Sequence, residues 1–349
     1  MRRALAPVLA AAAGLAAAAA LDPSIADALP PILRWPGPGP QVRARGVTPK
    51  DVVAWNTGCE HCHQAIASEW RTSRHHAAFT NPSFQAALSR EPSSTRGFCV
   101  RCHAPESQAK RPGEVDEASS LGVACLTCHV PLGPVLASTR GGRPAPHATT
   151  ASVEFRSVEA CRGCHEFAFP NHREERELMQ RTISEHQESG REAACTACHM
   201  PSNDGHRGHS FPGGYDEALV RSSLVVKAER QPGVARVILA TKNVTHAVPT
   251  GDLFRRLAVE VVPLSREGAR LGPETRYLTR HYEVVAGERR ELGDDRPHLT
   301  PREVAFSLPV EATGFEWRVR YERVGFHPNE DEGAAEVESA FDVAAGVVR

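Results

Sequence analysis

Five short stretches of this chain share one pattern. They are Cys59-Glu60-His61-Cys62-His63, Cys99-Val100-Arg101-Cys102-His103, Cys125-Leu126-Thr127-Cys128-His129, Cys161-Arg162-Gly163-Cys164-His165 and Cys195-Thr196-Ala197-Cys198-His199. Together they use all 10 cysteines. The spacing C-x-x-C-H is the attachment signature of c-type haem. Two thioethers tether the porphyrin edge, and the adjacent histidine takes one face of the iron as its proximal ligand. Zinc accounts for the pattern less well. Ten cysteines do not divide evenly into four-cysteine sites, and zinc needs no histidine directly after each pair. A disulfide framework suits an exported chain but leaves the five histidines unexplained. The motifs therefore predict five covalently attached haem c groups. Cys59, Cys62, Cys99, Cys102, Cys125, Cys128, Cys161, Cys164, Cys195 and Cys198 are the expected anchors. His63, His103, His129, His165 and His199 are the expected proximal iron ligands.

Five haems change what the composition means. The apoprotein has a formal net charge of −1, and about ten propionates would make the loaded protein acidic. Arg71, Arg74, Arg101 and Arg162 lie near the motifs and are candidate propionate partners. Aromatic residues make up only 6% of the chain, so haem faces are expected to supply apolar surface that the side chains do not. A near-neutral chain gives no argument for a nucleic-acid partner, and none is expected.

The N-terminus begins with Arg2 and Arg3, then runs apolar and alanine-rich through residues 4–20. This reads as a secretory signal peptide cut near Ala20. The run is too short and too rich in alanine to favour a membrane anchor. The mature chain is expected in the periplasm or outside the cell, and not as an integral membrane protein. Residues 21–50 contain "LPPILRWPGPGP" and read as a Pro-rich linker. Residues 51–214 hold the motifs, spaced 26 to 40 residues apart, too unevenly for a solenoid. Short helices joined by long loops are expected there. One runs over about Gln64–Phe79, with Ile66, Trp70 and Ala77 on one stripe, and another over about His172–Glu188. Residues 215–349 change texture. "LVRSSLVVKAE", "VARVILATKN", "RRLAVEVVPL", "TRYLTRHYEVV", "REVAFSLPV" and "FEWRVRYERV" are β-rich runs separated by turn residues. Six or seven such strands predict an antiparallel β-sandwich. The fold class is thus α+β: a loop-rich, mainly helical multihaem domain followed by a β-sandwich.

The 17 histidines leave twelve beyond the five motif residues. His75 lies twelve residues past His63, about 18 Å along a continuous helix, which assigns it to a neighbouring haem. His75 and His76 would point about 100° apart, so only one faces a given iron. His147 sits in a loop between motifs three and four, and His206 and His209 follow motif five. His172, Met179 and His186 fall on one helix face, where Met179 reads first as core packing. His61, His281, His298 and His327 have no supporting pattern. His246, in "NVTHAVPTGD", reads by itself as a turn histidine between two strands.

Several stretches together resemble a family. "C-x-x-C-H-x6-W-x2-S-x-H", present as Cys59 through Trp70, Ser73 and His75, resembles the opening of multihaem cytochromes c related to the tetrahaem cytochrome c of ammonia-oxidising bacteria. "GVACLTCHVP", "ACRGCHEFAFP" with "MQRTISEH", and "ACTACHMP" followed by "HSFPGG" are similar to it as well. "HAVPTGDLFRRL" is similar to a segment found after the haem domain in many such proteins. The resemblance covers about residues 55–260. It implies His75, His147, His209 and His246 as distal ligands, four for five haems. The fifth iron then takes His76, His172, His186, His206 or Met179, or has no sixth ligand, as at one haem of the tetrahaem relative. The implied function is electron transfer through closely packed, mostly bis-His haems. The expected partners are redox proteins, among them other cytochromes or a membrane quinol-oxidising complex. The alternative is a redox enzyme acting on a small nitrogen or sulfur oxyanion at one five-coordinate haem. Pentahaem nitrite reductases usually carry a motif ending in lysine, whereas all five here end in histidine, which weighs against catalysis.

Overall fold

The computed structural model describes residues 48–107, 115–130, 135–138, 147–169, 177–285, 288–326 and 332–349. The expected signal peptide, most of the Pro-rich linker, His172 and His327 lie outside them. No described helix is long and apolar enough to cross a membrane.

Short helices dominate the first part: Pro49–Cys62, Gln64–Arg71, Pro82–Arg90, Ser93–His103, Cys125–His129, Glu159–His165, Thr182–Glu188 and Thr196–His199. The first opens on a capping box, in which the Thr48 side chain accepts from the Asp51 amide while the Asp51 carboxylate receives the Thr48 amide. Among the described residues of this part, two two-stranded ladders lie between these helices and a third follows the last of them. Strands β1 (Val135–Ala137) and β2 (Thr149–Ala151) run parallel. β3 (Glu166–Ala168) pairs antiparallel with β4 (Leu178–Arg181), and β5 (Ser202–Asn203) with β6 (His206–Arg207).

Two helices differ from expectation. The one starting at Gln64 stops at Arg71 instead of reaching Phe79. Thr72 turns its hydroxyl back to the Glu69 carbonyl (2.9 Å), and Ser73 Oγ accepts the His76 amide (3.2 Å). Such local side-chain bonds compete with helix continuation. His75 is therefore on a turn, and the distance argument from a continuous helix does not apply to it. The helix expected from His172 starts only at Thr182, because Leu178–Arg181 is drawn into the ladder with β3. Met179 is thus on a strand and does not share a helix face with His186.

The C-terminal part is a sandwich. One sheet has the order β13 (Arg302–Ser307), β8 (Val234–Thr241), β7 (Leu224–Gln231). The other runs β10 (Glu274–Leu278), β9 (Arg255–Leu264), β14 (Gly314–Phe326), β15 (Glu336–Val348). All neighbours are antiparallel. Alternation sends Ala235, Val237 and Leu239 of β8 inward. They meet Leu257, Val259, Val261, Phe315 and Val319 of the facing sheet in one core. The run "LVRSSLVVKAE" divides: Asp216 caps a helix Glu217–Ser222, and the strand begins only at Leu224. "TRYLTRHYEVV" breaks at Thr279 into β10 and β11 (Arg280–Val285), and β11 pairs with β12 (Glu288–Asp294) instead of joining either large sheet. β12 and β15 have no counterpart among the six expected runs; β15 is the edge strand of its sheet and is mostly exposed.

The two parts meet along the helix Thr182–Glu188 and the β4 strand. Arg280 donates to the carbonyls of Met179 (2.9 Å) and Leu178 (2.7 Å). Arg181 pairs with Asp294 (2.7 Å), and Arg296 bridges Asp294 (2.6 Å) and Glu185 (2.5 Å). Burial opposes ionisation of Asp294, but bonds to Arg296 outweigh it and hold the carboxyl below its usual range. Asp252 is likewise opposed by burial and held down by Arg255 (3.4 Å) and Arg323 (3.2 Å). A carboxyl whose folded pKa is depressed stabilises the fold fully above the ordinary carboxylate range and loses that contribution as pH falls through the folded value. The denaturation midpoint is expected to stay level from about pH 7 to pH 5 and fall below about pH 4. A midpoint unchanged at pH 3 would remove this role from the two carboxylates.

Candidate haem-binding site

Each C-x-x-C-H motif ends a helical turn. His103, His129, His165 and His199 are the last residues of their helices, and His63 caps the first. On a helix, residues i, i+3 and i+4 share one face. Both thiols and the imidazole of a motif therefore project to the same side. No two cysteines are joined in a disulfide. Among the described residues no three His, Cys, Asp or Glu side chains gather as a metal site.

The motif histidines do not stand alone. His63 faces His147 with ring centroids 6.1 Å apart, and His165 faces His75 at 6.3 Å. His129 faces His209 at 6.2 Å, and His199 faces His246 at 6.2 Å. Two imidazoles bound from opposite sides to one metal ion, with metal–nitrogen bonds of about 2.0–2.1 Å and about 1.1 Å from nitrogen to ring centre, sit about 6.3 Å apart. The four separations fit one shared iron each. All four partner histidines are those implied by the family resemblance, and each lies far in sequence from the motif it faces.

Hydrogen bonds at the other ring nitrogen fix the orientation. Nδ1 lies within reach of a backbone carbonyl in His103 (Ala78, 2.9 Å), His129 (Leu136, 2.7 Å), His199 (Pro212, 2.6 Å), His209 (Arg207, 2.6 Å) and His246 (Ala247, 2.9 Å). With the Nδ1 proton donated there, Nε2 keeps its lone pair for a metal. Gln180 places its side-chain amide 3.0 Å from His165 Nδ1. Desolvation, helped by His165, His199 and His209, pushes His75 down to about 3. Desolvation and the charges of His199, Arg255 and His103 push His165 down to about 4. Burial also lowers His103, His129, His209 and His246. Neutral imidazole is the form that ligates.

His103 differs from the other four. Phe84 stacks flat on its ring, with centroids 3.7 Å apart and planes 6° from parallel. Phe84 covers a ring face, so it locks the imidazole without taking a ligand's place at the nitrogen edge. Among the described residues no second histidine ring faces His103. The described histidines among the alternatives are engaged elsewhere. His76 packs on Trp70 (4.2 Å), His186 Nδ1 meets the Thr245 hydroxyl (2.7 Å), and His206 Nε2 meets Glu69 (3.1 Å). His281 pairs with Asp295 and His298 with Glu188. Of the four arginines expected near propionates, Arg71 pairs with Glu60, Arg162 with Glu159, and Arg74 lies 3.6 Å over the Tyr215 ring, while Arg101 is exposed.

The sites are contiguous. The Phe211 ring stands edge-on to both His75 (4.2 Å) and His209 (5.7 Å), joining the motif-four and motif-three pairs. Charge on His63 acts on His129, and charges on His199 and His103 act on His165. The Cys102 thiol lies beside that of Cys164, and the Cys161 thiol beside that of Cys195. Motifs two, four and five thus sit side by side. Sequence reasoning missed Gly122, which has φ +59°. A Cβ there would run into the backbone carbonyls of His75 and His76, so only glycine lets the turn before motif three seat the His75 backbone. The "GV" of "GVACLTCHVP" was its only signal.

Residues 58–130 match a family model described as cytochrome c554 and c-prime. No curated protein matches the sequence. The fold is similar to the crystal structure of a penta-heme cytochrome c552 from Thermochromatium tepidum, with a TM-score of 0.65 and 19% identity over 83% of this chain and 97% of that one. A putative ApaA protein from Bordetella pertussis aligns with 36% of this chain and 89% of that one at 11% identity and a TM-score of 0.19, too low to relate the folds. Residues 58–130 are thus similar to the cytochrome c554 and c-prime family, within a chain whose fold is similar to that of the penta-heme cytochrome c552.

Proposed function

We propose that this chain is an exported pentahaem c-type cytochrome, akin to the tetrahaem cytochrome c of ammonia oxidisers, that passes electrons along closely placed haems. The observation that carries the reading is the set of four imidazole pairs at 6.1 to 6.3 Å, each holding one motif histidine. In this reading His147, His75, His209 and His246 are the distal ligands of the haems on His63, His165, His129 and His199. Bound haem supplies a one-electron couple tuned by axial ligands and burial. The chain's own part is to hold neutral imidazoles at fixed angles and keep the five sites adjacent. Adjacency runs from His63 and His147 through His129, His209 and Phe211 to His75 and His165, and on to His199 and His103. Redox proteins are the expected partners.

One observation favours a second reading. His103 is half-buried, locked by Phe84 and without a facing imidazole among the described residues, which suits an iron open to a small nitrogen or sulfur oxyanion. Electron paramagnetic resonance of the purified, haem-loaded protein is expected to give four low-spin irons and one high-spin iron, with carbon monoxide binding one haem in five. Five low-spin irons would refute the open site. An open iron that binds nitrite or hydroxylamine and turns it over would move the function from conduit to enzyme.

A further inference from the structure

We propose that Glu185 is the positioning residue for His246: its carboxylate, braced by Arg296, holds the loop Thr245–Thr250 so that the His246 imidazole faces His199. The proposal rests on the reading of His246 as a distal ligand. It starts from a difference in anchorage. His75 and His209 belong to the same part of the chain as the motif helices, whereas His246 sits on the connection between β8 and β9 of the sandwich. Something must register that connection against the haem region to within the tolerance of a metal bond.

The helix Thr182–Glu188, between motifs four and five, does this at several points. Glu185 Oε2 accepts the Ala247 amide (3.2 Å), directly after His246, and the Thr250 hydroxyl (2.6 Å). Its Oε1 accepts from Arg296 Nη2 (2.5 Å), while Arg296 Nη1 donates to the Pro249 carbonyl (2.7 Å). The pair thus brackets residues 247–250 from both ends. His186 holds the other side of His246 through Thr245 (2.7 Å), and Thr182 meets the Thr250 hydroxyl (3.0 Å). Val248 is fixed by its backbone N–H, which donates to the Pro297 carbonyl (3.0 Å). Glu185 is 1% exposed and Arg296 6%. A carboxylate so deeply buried needs every acceptor position satisfied, and two of its donors belong to the loop. Moving the loop would strip both, so the loop has one favoured seat.

A plain ion pair stapling two domains would also be buried, but it would leave haem spectra alone when weakened. The test compares haem-loaded Glu185→Ala, Glu185→Gln, Thr250→Val and His246→Ala by electron paramagnetic resonance and magnetic circular dichroism, with haem content measured for each. Glu185→Ala is expected to convert one low-spin haem in five to high spin, the same one lost in His246→Ala, with five haems still attached. Combining Glu185→Ala with His246→Ala should cost no further haem ligand. Glu185→Gln, which keeps an acceptor for the loop, should retain most of the low-spin signal. Thr250→Val, which removes only one bond, should shift that signal partway, and it serves as the test should Glu185→Ala fail to fold. Unchanged spectra in Glu185→Ala and Thr250→Val alongside a lost signal in His246→Ala would overturn the positioning role while leaving the ligand. An unchanged His246→Ala would overturn the ligand reading itself.

Discussion

Replacing Arg256 with alanine is expected to destabilise the sandwich by about 3 kcal/mol, at the lower end of what removing one partner of a buried ion pair costs. Arg256 on β9 and Glu322 on β14 are direct cross-strand partners. Their side chains are each 2% exposed and joined at 2.8 Å. The guanidinium also lies 3.7 Å over the Tyr277 ring of β10, so it spans three strands of one sheet. Alanine leaves the Glu322 carboxylate in the interior without its main counter-charge. Arg320 keeps a second contact to Glu322 at 3.1 Å, which is why the lower end applies. Chemical denaturation of the haem-loaded protein at neutral pH measures the loss. Changing both residues to leucine should recover most of it, since apolar pairs replace buried ion pairs at little cost. A loss below about 1 kcal/mol in Arg256→Ala would show that solvent reaches Glu322.

Sequence and structure agree where period or spacing carried the signal. Alternation in "VARVILATKN" and the apolar run "RRLAVEVVPL" sit where β8 and β9 lie. The helical face of C-x-x-C-H follows from its spacing alone. What escaped the sequence was decided by local side-chain bonds and by tertiary partners. Thr72 and Ser73 end a helix whose apolar stripe continues to Ala77, because their hydroxyls find backbone groups nearby. Met179 reads as helical until β3 supplies a ladder for it. β15 carries charged and small residues with little alternation, and its place comes from pairing with β14. The candidate site shows the same division. Motif histidines announce themselves, but His246 by itself carries only turn chemistry; the resemblance of "HAVPTGDLFRRL" singled it out, and His199 stands 6.2 Å away. Glu185 had no signal beyond its place in "MQRTISEH", since its role depends on a loop more than sixty residues downstream.

His75→Ala is expected to have the largest effect on electron flow of any single distal change. The haem on His165 should turn from low to high spin and become a second site for carbon monoxide. Two features single it out. His75 stands at the crossing of the sites, within reach of the charges on His165, His199 and His209 and against Phe211. In the proposed arrangement, losing that axial ligand raises the reorganisation needed at the haem on His165, which neighbours His199 and His103. The fold should survive, because the bond that seats this turn runs from the Val123 amide to the His75 carbonyl (2.8 Å) and needs no side chain. Gly122→Ala is the complementary change: it keeps the imidazole but drives a Cβ into the carbonyls of His75 and His76. It should disturb the same haem through the backbone, with added imidazole restoring the low-spin state in His75→Ala more fully than in Gly122→Ala. Stopped-flow reduction should then slow for the haems beyond His165 in both variants. If His75→Ala leaves all spectra and rates unchanged, the 6.3 Å approach to His165 is packing, and the conduit must run without this pair.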